Sequence, residues 1–254
     1  HLTVGALTDR GRKDCNQDAL FVLSGTLSQE DDLLPLGLAI VADGLGDKEA
    51  GAQASALTVR MVANRVLEQI YRPFLSGAEQ TADRQPIHQV LREALVAANG
   101  RVQQVHPGGK TTCTCALILG TQAFIAHVGD SRAYLISSDA IAPVTIDHSL
   151  VHRLIELGQI TSEEAKTHPQ RNVLYRAVGR GDSLEIDTGL QALSVDHSLL
   201  LCSDGMWRVL PQEIIASIVR SAPSPQIACR WLVDRAIDVG GQDNITGVLV
   251  QVRE

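Results

Sequence analysis

The sequence predicts an α+β fold in which antiparallel sheets are covered by paired helices, and two observations carry this expectation. Short apolar runs of strand length, bordered by turn residues, dominate both ends of the chain. The helical patterns come in pairs, where a doubly wound parallel sheet would alternate them one for one with strands.

In chain order, strands are expected at Ala19–Leu23 and Leu36–Val41. Ala50, Ala54, Leu57 and Met61 then recur at helical spacing, as do Ile87, Leu91, Leu95 and Val102 in a second helix. Pro86 sits near the start of that helix, where its missing N–H is tolerated. Strands return at Cys115–Leu119 and Ala123–Val128, with Gly120-Thr121 as a hairpin connection, and again at Ala133–Ile136. Shorter helical segments at Leu150–Leu157 and Ser162–Ala165 precede a strand at Ser198–Cys202. Helices around Pro211–Arg220 and Pro225–Val239 and a final strand at Gly247–Val252 complete the series. There is no internal repeat. The most linker-like stretch, Ser76–Pro86, is short and embedded, so a single domain spanning 1–254 is expected.

At 254 residues and 44% hydrophobic, the chain can bury one substantial core. A net charge of −7 disfavours nucleic acid as a partner, because that affinity comes from Lys and Arg displacing counterions. No apolar run is long enough for a transmembrane helix and no signal peptide is evident, so a cytoplasmic location without membrane insertion is expected. The chain begins at His1 in place of Met, so either a trimmed N-terminus or excision from something longer is expected. Its cysteines, Cys15, Cys113, Cys115, Cys202 and Cys229, are odd in number and lack a CxxC pair, as suits a reducing compartment. Cys113 and Cys115 share one strand face and are read as packing residues.

The chemistry lies in the aspartates. "VADG" ends a strand at Asp43-Gly44, "CSDG" ends another at Asp204-Gly205, and Asp243-Asn244 leads into a third. Asp18 precedes a strand, and Asp130 stands in "HVGDSR" between two apolar runs. Any one Asp-Gly is ordinarily a turn. The runs "LAIV" and "LLLC", however, are apolar throughout and read as buried, and a carboxylate at the mouth of a buried strand is costly unless a cation meets it. Lys and Arg are sparse beside three of the five in sequence. Hard oxygen ligands suit Mg²⁺ or Mn²⁺ rather than zinc. Two such ions ~3.5–4 Å apart, holding and acidifying a water for in-line attack on phosphorus, would satisfy the group.

The series "NQDA", "VADGLG", "TTCTCAL", "HVGDSRAYL", "DHSLVHRLIELGQIT", "HPQRNVLYRAVG", "LCSDGMW" and "GGQDNITGVLVQV", in that order, resembles the bacterial branch of the metal-dependent PP2C-type (PPM) serine/threonine protein phosphatases. The resemblance covers essentially the whole chain. It implies a four-layer α-β-β-α sandwich and hydrolysis of phosphoserine or phosphothreonine, with a phosphorylated protein as substrate and a Ser/Thr kinase or its targets as partners. By the same resemblance, Asp43 bridges two ions, with the Gly44 carbonyl as a further ligand. Asp204 and Asp243 each bind one of the pair, and Asp18 adds an acidic ligand. Asp130 faces the cluster as ligand of a third, weaker ion, while Arg132 supports the turn. The segment Asp147–Asp187 corresponds to the family's flap; its histidines and arginines are placed to receive a phosphopeptide, although at least half are expected to be solvated helix-face residues. His127 is read as structural.

Four departures stand out. Lys13, with Arg12 beside it, occupies the place of a phosphate-gripping arginine and cannot make the same bidentate contact. Asp47 and Lys48 replace a Gly-His pair whose histidine would assist the leaving group. Lys110 stands where glycine precedes Thr111 and Thr112, and Arg208 replaces an aspartate, opposing a third ion. These departures leave a pseudophosphatase, a binding or regulatory module, as the alternative to an active enzyme, with a two-metal phosphoesterase of another substrate class behind it.

Overall fold

The structure, a computed structural model, describes residues 1–29, 32–76 and 85–253, so the Ser76–Pro86 stretch falls mostly outside it. In chain order the elements are β1 (Leu2–Asp9), β2 (Asp18–Gln29), β3 (Asp32–Leu45), α1 (Lys48–Val66), a π-helical turn (Leu67–Tyr71), α2 (Arg72–Leu75) and α3 (Ile87–Val105). Next come β4 (Lys110–Thr111), β5 (Cys113–Leu119), β6 (Gln122–Val128), β7 (Arg132–Ile136), β8 (Ile141–Pro143), α4 (Leu150–Glu156), α5 (Ser162–Thr167) and β9 (Asp187–Ala192). The chain closes with β10 (Ser198–Cys202), α6 (Asp204–Trp207), α7 (Gln212–Ser221), α8 (Pro225–Asp238) and β11 (Ile245–Val252).

Two antiparallel sheets result, ordered β1-β11-β10-β7-β8 and β2-β3-β5-β6-β9, with β4 added to β3. The apolar runs are continuous because the central strands are buried on both faces. Along β3, Leu38, Ile40 and Ala42 pack under α1 and α3, while Ala39 and Val41 face the other sheet. Along β10, Leu200 and Cys202 pack under α7 and α8, while Leu199 and Leu201 join the inter-sheet layer. Period-two alternation thus sends each strand's side chains into two different cores, giving the four-layer α-β-β-α sandwich. Cys113 and Cys115 lie buried on the helix-facing side of β5.

The segment from Asp147 to Asp187 leaves the sandwich after β8 and returns at β9, carrying α4 and α5. Ser149 caps α4, accepting from the His152 N–H, and Thr161 with Glu164 forms a capping box on α5. Its root is held by Arg132, whose guanidinium makes paired bonds of 2.9 and 2.8 Å to Asp147 and stacks 3.5 Å over Trp207. Asp147 is almost fully buried. Arg132→Ala is therefore expected to destabilise the chain by roughly 3 kcal/mol, since it strands a buried carboxylate. Urea unfolding measures this, and a cost below about 1 kcal/mol would show the pair to be solvent-screened.

Candidate metal centre

Antiparallel order brings strand starts and strand ends to the same place. Asp18 opens β2 opposite Asp43 near the end of β3, the two being Cα partners in register. Asp130 lies just before β7, Asp204 just after β10 and Asp243 just before β11. All five predicted aspartates therefore meet at one end of the sandwich, contributed by both sheets. A cavity of about 760 Å³ lined by Ile136, Ser137, Ser198 and Arg220 opens at the opposite ends of β7 and β10.

The glycines after Asp43 and Asp204 serve packing and not a turn. Neither has a positive φ. A Cβ on Gly44 would collide with the Gly51 and Gln17 carbonyls, and one on Gly205 with the Asn244 carbonyl. Glycine at these places lets α1 and the Asp243-Asn244 turn close on the two strand ends.

Hydroxyls and amides fix the carboxylates. The Asp43 N–H donates to Thr112 Oγ1 at 2.9 Å, and the Asp43 carbonyl accepts from the Thr111 hydroxyl and the Thr112 N–H. Asp18 Oδ2 accepts from Ser203 Oγ at 2.8 Å and Thr246 Oγ1 at 2.6 Å, which ties one sheet to the other. Asn244 donates to the Arg10 and Cys15 carbonyls and accepts from the Gln17 N–H, bracing the loop that carries Lys13. Ser203, Thr246 and Asn244 have no role assigned from sequence. Each directly neighbours or follows closely one of the chosen aspartates, and that adjacency is the available clue.

Cations meet only part of this charge. Arg208 reaches Asp130 Oδ2 at 2.8 Å by hydrogen bond. Its Nε lies 2.8 Å from Asp204 Oδ2 but at an angle too poor to donate, so this second contact is an ion pair without a hydrogen bond. Lys13 stands 3.2 Å from Asp243, both half-exposed. Arg12 is exposed, and its side chain has no ion pair or hydrogen bond among the described residues. Asp18 and Asp43 have no basic partner among them either. The cations that looked sparse in sequence are thus supplied in space to three of the five.

Burial, followed by repulsion from the neighbouring carboxylates, pushes Asp43 well above the ordinary range and Asp18 to about 7. Asp130 rises to about 7, mainly through burial, with Arg208 opposing. Asp204 is also raised by burial, again against Arg208, and its carboxyl lies within hydrogen-bonding reach of Asp43.

No three His, Cys, Asp or Glu side chains among the described residues are already arranged as an ion's ligand shell. The donor set nevertheless fits hard divalent cations. It is all oxygen, it carries excess negative charge, and Asp18 Oδ1 is buried with no hydrogen-bond partner among the described residues. Lys48, in the place of the family's histidine, pairs with Asp14, and that bond and charge raise its pKa further. It is no proton donor near neutrality.

The histidines divide by role. His127 is buried, bonded through Nε2 to the Ile146 carbonyl at 3.0 Å and through Nδ1 to Thr114 at 2.9 Å, so it is structural as expected. His148 accepts the Gly129 N–H at Nδ1, and its Nε2 meets Asp187 at 3.1 Å. It stitches the Asp147–Asp187 segment to the loop before Asp130. Of the segment's basic residues, Arg153, Arg171 and Arg180 are exposed, while His148 and Arg176 are built into the fold.

Burial, chiefly, and His148 beside it lower the His127 pKa from 6.5 to about 4. Between those values the unfolded chain binds more protons, so this contribution to stability is lost as pH falls through the window. The loss is worth roughly 3 kcal/mol at its lower end. Asp18 and Asp130, each raised to about 7, titrate there with opposite sign, so the readout is the difference between parent and His127→Gln in urea unfolding at pH 7.5 and 4.5. Parallel pH dependence in the two proteins would refute the assignment.

Residues 8–225 match the family model described as protein phosphatase 2C. The chain is 35% identical over 246 residues to the serine/threonine phosphatase stp of Listeria monocytogenes serovar 1/2a, covering 96% of this chain and 93% of that protein. It is 34% identical to the protein phosphatase PhpP of Streptococcus pneumoniae over 85% of each. Among solved structures, Staphylococcus aureus Stp1 superposes with a TM-score of 0.83 at 30% identity, covering 100% of this chain and 96% of that one. The catalytic domain of PstP in complex with 2 manganese ions gives a TM-score of 0.77 at 27% identity, covering 100% and 99%. These relatives lend no support to a pseudophosphatase. The sandwich, its aspartate-lined end and these matches together place the chain in the PP2C family of metal-dependent serine/threonine protein phosphatases.

Proposed function

We propose that this chain dephosphorylates phosphoserine and phosphothreonine in protein substrates, with two divalent ions, Mn²⁺ or Mg²⁺, held by Asp18, Asp43, Asp204, Asp243 and the Gly44 carbonyl. One observation carries this reading: Asp18 and Asp43 are paired across two strands at the mouth of the sandwich with no basic partner among the described residues. Bound there, the ions would neutralise phosphoryl oxygens and acidify a water for in-line attack.

The chain's own residues do the rest. Asp43, fixed by Thr111 and Thr112, orients the centre, and the Ser203 and Thr246 hydroxyls aim Asp18. Lys13 on the braced N-terminal loop is half-exposed beside Asp243 and offers a point charge to the substrate phosphate. Arg12 is the second candidate for that task. Lys13→Ala is expected to raise KM about tenfold with a smaller fall in kcat, whereas Lys13→Arg should retain KM. An unchanged KM in the alanine variant would remove Lys13 from phosphate binding. The domain reading is one unit over 1–254, with Asp147–Asp187 as a flap that selects the substrate. A Ser/Thr kinase or its targets supply that substrate. No helix among the described residues is long and apolar enough to cross a membrane, which is compatible with work in the cytoplasm.

The test is hydrolysis of a phosphothreonine peptide in EDTA, Mg²⁺ and Mn²⁺. Turnover only with metal supports the proposal. Absence of turnover despite calorimetric metal binding would sink it.

A further inference from the structure

The geometry points to Arg208 as a built-in cation of this centre. Its guanidinium fills the edge between Asp130 and Asp204 and ties the Arg171–Asn172 turn to it, so that the chain loads two divalent ions and no third. This rests on the metal-dependent reading above and specifies its ion count.

Arg208 ends the short helix begun by Asp204, donating its N–H to the Asp204 carbonyl at 3.0 Å, so its side chain returns toward that carboxylate. The guanidinium contacts Asp130 and Asp204 at 2.8 Å each. Its other face bonds Asn172 Oδ1 at 2.7 Å and approaches the Arg171 carbonyl at 3.4 Å. Trp207 packs 5.1 Å away and donates its indole N–H to the Asp130 carbonyl. Asp130 is 4% exposed, so its charge needs a fixed counterion, and Arg208 is that counterion.

Charge balance agrees. Five carboxylates set against Arg208 and Lys13 leave three negative charges, which two divalent ions offset with one positive charge over for a phosphate. A third divalent ion at Asp130 would have to stand against a guanidinium that cannot deprotonate. An arginine in this place also does what an ion could not do through a fixed covalent stem. It joins the centre to residues 171–172, in the segment between β8 and β9, and thereby positions that segment relative to the aspartates.

The experiment counts Mn²⁺ by calorimetry and by the paramagnetic resonance of free Mn²⁺, and follows amide exchange over residues 170–174. It uses the parent, Arg208→Asp and Arg208→Lys. The expected counts are two ions for the parent, three for Arg208→Asp and two for Arg208→Lys. Exchange at 170–174 should be about tenfold faster in Arg208→Lys, because an ammonium lacks the fork that spans Asp130 and Asn172. Three ions in the parent, or two in a folded Arg208→Asp, would overturn the proposal. If Arg208→Asp does not fold, unchanged exchange in Arg208→Lys overturns it. A parent that binds no Mn²⁺ would instead bring down the metal-dependent reading itself, a result distinct from any of these.

Discussion

Asp204→Asn is expected to lower metal-dependent hydrolysis of a phosphothreonine peptide by roughly three orders of magnitude, the scale of several kcal/mol of lost charge stabilisation. The substitution keeps size and shape, so Gly205 can still pack against Asn244 and the strand end need not move. What goes is one negative charge from a group that faces Asp43 on one side and Arg208 on the other. Mn²⁺ affinity should fall with activity, and calorimetry run beside the assay checks this. Full turnover in the Asp204→Asn variant would show that this strand end does not hold metal.

Asp43→Asn should separate stability from activity. Hydrolysis is expected to be lost as completely, because Asp43 stands at the centre of the cluster, repelled by Asp18, Asp204, Asp130 and Asp243 alike. The metal-free protein should become more stable by at least about 1 kcal/mol, a rise of roughly 2–4 °C in Tm at this chain length. In the parent, Asp43 has no basic partner of its own among the described residues, so burying it costs either the uptake of a proton or an unpaired charge, and a neutral amide is spared that cost. Added Mn²⁺ should raise the Tm of the parent and leave the variant nearly unchanged. A less stable metal-free variant would mean that the carboxylate holds the fold together.

Strands buried on both faces were legible because their apolar runs are unbroken: Leu36–Val41 and Ser198–Cys202 fall inside β3 and β10 as expected. The strands missed were β1, β8 and β9, all at sheet edges, along with the two-residue β4. β1 is largely half-buried and β9 is mostly exposed, so neither carries a long apolar pattern. The aspartates were legible for the same reason as the central strands, since a charge at the end of a fully apolar run is conspicuous. Their glycines were legible as well, though turn preference was the wrong reason for them.

The sequence by itself determined the central strands, the helix pairs and the five aspartates at strand borders, because unbroken apolar runs, helical spacing and residue order are local properties. Only the tertiary structure decided which charges neutralise one another. Arg208 meets Asp130 from 78 positions away, and Ser203 reaches Asp18 across 185. Coulomb interactions and hydrogen bonds act through space over a few ångströms, and the sandwich sets those distances by closing two sheets on each other.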